Sequence, residues 1–429
     1  MGLTALTILF LLPILSAAAP DAGAPTSPLL DLLAFVPDRD DIRASFIFYQ
    51  DFRAVEDSRP YLSRPDDTAA FLSQDIPLSA SIGRWLGIPY ELASAPLLNV
   101  ADPSFVAVMG FDFFAINRTL GFGDLPLNAV IWSGDFDLEA VAAAHRARGY
   151  IQTAIGGVPA WCGPAGCDSG MTMNMEQRGL PNLFSPFLPR QVPFLIPDER
   201  TLISAPALER LEQIADVIGG IGSPTGMRSA SLADADDYRV LAQAIADPAQ
   251  YSGQLVSAIF APASMTATPP QQNPPDPDAW YLADYGELPR YLNAVIADRQ
   301  EGEMQVAIIA LAYPTTAEAE AGAAELTARL ATFNEGLWRR NPNYPPLIDE
   351  WDGLAEIRQH VYAPASAEIS AAVVEVWYPP APPEVETAPI DSPLYTDAPY
   401  PVIPAAYFNR IKRAIEMGMF YPLWVAIDL

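Results

Sequence analysis

"YLNAVIADRQEGEMQVAIIALAYPTTAEAEAGAAELTARLATF", Tyr291 to Phe333, carries two strand-like runs and one helical run in a single stretch. "YLNAVIAD" and "EMQVAIIALAYP" are rich in Val, Ile and aromatic residues, and "RQEG" between them supplies a turn, so the pair reads as a β-hairpin. From Thr315 the composition changes to Ala, Glu and Leu, and Thr315 or Thr316 stands where a helix N-cap belongs. "AEIRQHVYAP" and "EISAAVVEVWYP" then form a closing hairpin, so the whole segment reads ββαββ.

A similar order precedes it. "PSFVAVMGF" reads as a strand around Phe105 to Met109. Asp112 caps a short helix over "FFAINRTL", whose Phe113, Ile116 and Leu120 share one face. "LNAVIWSG" is a further strand. Asp135 or Asp137 caps the helix "LEAVAAAHRARGY", with Gly149 at its C-terminal end. "YIQTAI" and "VPAWC" make a hairpin across Gly156-Gly157. The expected fold class is α+β: two ββαββ-like units, antiparallel sheets with helices packed on one face.

Four segments follow: residues 1–18 as a signal peptide, 19–230 and 231–378 as the two units, and 379–429 as a Pro-rich linker ("PPAPPEVETAPIDSP") with a terminal helix. Leu3 to Leu15 is an apolar run of signal-peptide length, and Ser16 to Ala18 suit cleavage after Ala18. The run lacks a basic n-region, which leaves an uncleaved N-terminal anchor as the competing reading. No later stretch has the length of a membrane-spanning helix. The expected location is secreted or extracytoplasmic.

The chain has 429 residues, 24 basic and 52 acidic, for a net charge of -28, and Lys412 is its only lysine. Such a chain lacks the clustered cations that phosphate backbones and anionic membranes require, so no nucleic-acid partner is expected. An extracellular ligand or protein partner fits better.

Cys162 and Cys167 are the only cysteines. Four residues, Gly-Pro-Ala-Gly, separate them, where a thioredoxin-like motif needs two and a helix start. A zinc site needs four ligands, and the two histidines, His145 and His360, fall in different units. A structural disulfide across a tight loop is the reading that remains, and no metal or cofactor is expected.

Other candidates carry less chemistry. "GGIGSPTG", Gly219 to Gly226, follows a helix rather than a strand and reads as a helix stop. His145 is expected at a surface or boundary and His360 on a solvent face, and no nucleophile-elbow motif accompanies either. Asp234, Asp236 and Asp237 suit a helix's first turn, and Asp276, Asp278, Asp284 and Glu287 a solvated loop. Asn117-Arg118-Thr119 is a glycosylation sequon inside an expected helix. Trp280, Tyr281 and Tyr285, with Tyr291, flank a Pro-rich loop; packed, they are core and edge, the preferred reading, and exposed, they form the candidate ligand platform. No catalytic constellation is complete. The expected function is a non-enzymatic binding or structural module outside the cytoplasm; the alternative is an exported hydrolase whose carboxylates converge only in the fold.

Overall fold

The computed structural model describes residues 27–58, 67–72, 102–185, 188–219, 229–262, 286–332, 355–365 and 367–379. Twelve strands lie in these residues: β1 Ile47–Asp51, β2 Ile116–Phe122, β3 Ala129–Gly134, β4 Ile151–Ile155, β5 Val158–Cys162, β6 Phe194–Asp198, β7 Thr201–Ser204, β8 Gln254–Pro262, β9 Asn293–Glu301, β10 Met304–Tyr313, β11 Glu356–Tyr362 and β12 Ser370–Tyr378. They form a single sheet in the order β11-β12-β10-β9-β8-β1-β2-β3-β7-β6-β5-β4. Neighbouring pairs are antiparallel, as in β10 with β9 and β12, and β4 with β5. β1 stands between β8 and β2 and joins the two halves of the sheet.

The strands are buried on both sides where the sequence runs continuously apolar. In β10, Val306, Ile308, Ala310 and Ala312 enter one core while Ala307, Ile309, Leu311 and Tyr313 enter another. A strand of this kind needs cover above and below, because each exposed apolar face would forfeit its transfer free energy. On the first face one core runs from Val158 and Ala160 in β5 to Ala371 and Val373 in β12. Helices α1 (Pro28–Leu33), α7 (Leu208–Ile218) and α8 (Asp236–Ala246) bury their apolar sides in it. On the second face α9 (Thr316–Thr332) covers the C-terminal strands. There α5 (Phe105–Met109) and α6 (Leu138–Ala147) cover the N-terminal ones. Shorter helices α2 (Asp40–Arg43), α3 (Phe52–Ser58) and α4 (Thr68–Leu72) complete the described elements.

The α+β class and the large antiparallel sheet are therefore present. Helices packed on one face only is corrected to helices on both faces, for the reason just given. The expected strand at Phe105 to Met109 is helix α5. It ends at Gly110, whose φ is 80° and where a Cβ would meet the Val141 Cα of α6 at 2.5 Å. The expected helix over Phe113 to Leu120 is one 3-10 turn, Phe113–Ala115, followed by β2. Asp112 does cap that turn, accepting from the Phe114 N–H at 2.9 Å. The helical spacing of Phe113, Ile116 and Leu120 yields to strand pairing because β2 finds partners on both sides.

Local signals are met elsewhere. Asp137 Oδ1 accepts from Glu139 and Ala140 N–H at the start of α6. Gly149 lies at φ 83° beyond its end. Gly219 closes α7 at φ 75°. The leader, the C-terminal linker with its helix, and Trp280, Tyr281 and Tyr285 lie outside the described residues.

A candidate docking edge

β4 ends the sheet. The β4–β5 hairpin turns through Gly156 and Gly157, at φ 56° and 83°, with Ile155 opposite Val158. That two-residue loop wants positive φ at both positions, which glycine adopts without strain. The turn rests on α7: a Cβ on Gly156 would stand 2.8 Å from the Ala215 Cβ. From there the strand leaves the body of the protein. Ile155 is buried, whereas Ile151, Gln152, Thr153 and Ala154 are exposed, Ile151 by 57%. Alternating side chains point to opposite faces, so neither face of β4 is covered.

The pairing register decides which backbone groups are free. Ile155–Val158 closes the two-residue turn, so Ile155, Thr153 and Ile151 direct their N–H and C=O toward β5. Gln152 and Ala154 direct theirs to the open side. The strand carries no charge, no proline and no bulge, the devices that usually blunt an edge. The opposite edge of the sheet is built differently. In β11 Arg358 pairs with Glu356 at 2.9 Å, and its guanidinium lies 4.1 Å from the Trp377 ring centroid.

The segment after β5 packs beside the chain that enters β4. Cys162 and Cys167 are joined as a disulfide, with Cα atoms 4.6 Å apart. Three hydrogen bonds tie residues 148–150, just before β4, to residues 177–192. Arg148 Nε donates to Gln177 Oε1 at 3.0 Å, Gln191 Nε2 donates to the Arg148 carbonyl at 2.8 Å, and the Tyr150 hydroxyl donates to the Val192 carbonyl at 3.3 Å. Among the described residues nine large apolar side chains are exposed, and six of them are Ile151, Met171, Met173, Met175, Leu180 and Leu188. These six fall within one stretch of the chain, residues 151–188. The charge also changes here. Residues 139–190 hold Arg146, Arg148, Arg178 and Arg190 against Glu139, Asp168 and Glu176, a net +1 in a chain of -28.

His145 supports this end from within, which corrects its expected surface position. It is fully buried against Phe194 and Tyr150, at ring separations of 4.6 and 5.0 Å. Its Nδ1 donates to the Val141 carbonyl at 2.9 Å. Burial, reinforced by the Arg148 charge, pushes its pKa down to about 3, so the imidazole is neutral. His360 is likewise corrected: it is half-buried, its Nε2 2.9 Å from the Tyr251 hydroxyl, and desolvation lowers its pKa.

The remaining sequence candidates are placed as follows. Asn117 is buried in β2, where Oδ1 accepts from Arg53 at 2.8 Å and Nδ2 donates to Asp135 at 3.1 Å, so the sequon is closed to a glycan. Asp234 accepts from Ser231, Asp236 pairs with Arg239, and Asp237 pairs with Arg43 at 3.0 Å. Their carboxylates are occupied by caps and ion pairs. Glu287 is exposed, and Asp276, Asp278 and Asp284 lie outside the described residues. Tyr291 is buried edge-on to Tyr313, at 6.3 Å between centroids. The open edge was not anticipated from sequence, although "YIQTAI" beside a Gly-Gly turn, uncharged in an acidic chain, is the signal that marks it.

The fold and this edge define an α+β protein with a large antiparallel sheet that is open at β4. No protein family matches the chain, and no curated protein matches it. Two solved structures of TP0453, crystal forms I and III, align with 79% and 80% of this chain and 90% and 92% of theirs. Their identities are 8% and 7% and their TM-scores 0.28 and 0.29, a likeness that carries no inference. The disulfide is compatible with an extracytoplasmic location. Among the described residues no helix is long and apolar enough to cross a membrane.

Proposed function

We propose that this chain is an exported, non-enzymatic binding module that captures an extended segment of a partner protein along β4. The observation that carries the reading is a strand exposed on both faces, with the backbone groups of Gln152 and Ala154 turned to the open side. Strand addition uses such an edge: main-chain hydrogen bonds supply affinity, and alternate side chains supply selectivity. The partner segment is uncharged or acidic with alternating apolar residues, matching Ile151, the exposed Met and Leu side chains and the local positive balance. A second copy of the chain fits less well, since two bodies of charge -28 repel.

The same reading takes β2–β3–α6–β4–β5 and β9–β10–α9–β11–β12 as related units. Their outer hairpins then differ in use. β11–β12 is closed by charge and by contact with α9, and β4–β5 is left open.

Selection of a displayed library of twelve-residue peptides against the full chain tests this, with the Ala154→Pro chain as counter-selection. Proline at 154 removes an outward N–H without touching a bond to β5. Enriched peptides that bind the natural chain, slow amide exchange at Gln152 and Ala154, and fail on Ala154→Pro support strand capture. An empty selection, or peptides that bind both chains equally, refutes it.

A further inference from the structure

The segment Gly170 to Gln177 reads "GMTMNMEQ" and sets three methionines at alternating positions, Met171, Met173 and Met175. Between the last two, Asn174 is anchored by four hydrogen bonds. Its N–H donates to the Pro189 carbonyl at 2.6 Å and its Nδ2 to Gln191 Oε1 at 2.8 Å. Its Oδ1 accepts from the Glu176 N–H and its carbonyl from the Gln177 N–H, each at 3.0 Å. Its backbone is extended, at φ -111° and ψ 101°. In extended chain the residues on either side point away from the one between them. Gln191 is buried, so Asn174 faces the protein. Met173 and Met175, the latter opening the 3-10 turn Met175–Gln177, flank it and are 49% and 58% exposed, and Met171, two residues earlier, is 38% exposed.

A thioether is a soft, uncharged donor, and among biological first-row metals soft sulfur sites select Cu(I). Cys162 and Cys167, which would outcompete thioethers, are tied to each other. His145 and His360 are engaged in the core and with Tyr251. We propose that Met171, Met173 and Met175 form a surface site for a soft monovalent cation, Cu(I), with the three sulfurs as ligands. One contact must yield on binding: Arg190 Nη1 lies 3.4 Å from Met171 Sδ, and its positive charge opposes a cation there. Thioethers do not titrate, so the affinity is independent of pH where imidazole and thiol sites are not. The inference shares these methionines with the proposed docking surface but does not need the open strand edge, so Ala154→Pro leaves it unchanged.

The test uses the full chain with its disulfide intact, verified by the absence of thiol alkylation. It is titrated with Ag(I), a redox-inert soft cation, in a calorimeter, and with Cu(I) against a chromophoric chelator. One cation per chain is expected, with the same affinity at pH 5.5 and pH 7.5. Met173→Leu/Met175→Leu keeps the apolar volume and is expected to weaken binding at least about 100-fold. Arg190→Gln is expected to tighten it. Failure to bind one cation per chain, binding retained by the double leucine variant, or affinity that drops as imidazole protonates would each overturn the site.

Discussion

Ile151 stands directly opposite Cys162 in the β4–β5 ladder. The disulfide to Cys167 therefore closes the loop that leaves the hairpin at the end farthest from its Gly156-Gly157 turn, beside the first residue of the open edge. Closing so short a loop removes little chain entropy, about 2 kcal/mol. Cys162→Ala/Cys167→Ala is expected to lower unfolding stability in urea by about that amount. Amide exchange at Ile151 and Thr153, which face β5, should accelerate while β1 and β2 stay protected. An unchanged midpoint and unchanged exchange would mean that packing alone holds the hairpin.

Arg299 is fully buried on the first face of the sheet. Its Nη2 donates to Glu375 Oε1 at 2.7 Å, its Nη1 donates to the Ile245 carbonyl at 3.2 Å, and its guanidinium lies 3.7 Å from the Tyr251 ring centroid. Removing one partner of a buried pair strands a desolvated charge. Glu301, 3.2 Å from Arg299 Nε, offsets part of that loss. Glu375→Leu is expected to cost about 3 kcal/mol in chemical denaturation. Arg299→Met/Glu375→Leu should cost less than the single change. A double variant weaker than the single would show that the pair outweighs its desolvation.

Thr119, Gln50 and Ser257 stand side by side across β2, β1 and β8, pairing in register on the second face. All three are buried, and the Thr119 and Ser257 hydroxyls and both polar atoms of the Gln50 amide have no hydrogen-bond partner among the described residues. Such groups forfeit water without compensation. Thr119→Val and Ser257→Ala are each expected to leave stability unchanged or raise it by about 1 kcal/mol, read from the urea midpoint. A drop of similar size would contradict the unpaired state.

His145 sets a pH dependence. Its folded pKa is about 3, below the value of 6.5 for a free imidazole. The unfolded chain then takes up a proton that the folded chain refuses, so stability is full above pH 6.5 and falls as the pH drops toward 3. The slope from this group is at most about 1.4 kcal/mol per pH unit. Carboxylate contributions cancel when the natural chain and His145→Leu are compared by urea unfolding across that window. The gap between them should shift in favour of the variant as the pH falls. A constant gap would place a proton on His145 in the folded state.

Local chemistry was legible in the sequence. Asp137, Gly149 and the Gly156-Gly157 pair act within a turn or two of themselves, and the hairpin and helix from Asn293 to Thr332 follow from composition and period. Phe105 to Met109 was not legible, because a short apolar run suits strand and helix alike. Gly110 against α6 decides it. The burial of His145 was likewise hidden: Phe184 and Phe194, which enclose it from outside its own helix, arrive some forty to fifty residues later in the chain.

The sequence by itself determined where turns fall, where helices are capped, and that two cysteines have only each other. The tertiary structure decided that β1 joins both halves in one sheet, that helices cover both faces, and that β4 is left at the rim. The physical reason is that capping and turn preferences are energies of neighbouring residues. A strand's place in a sheet depends on partners far along the chain, as with Gln50, which stands between Thr119 and Ser257.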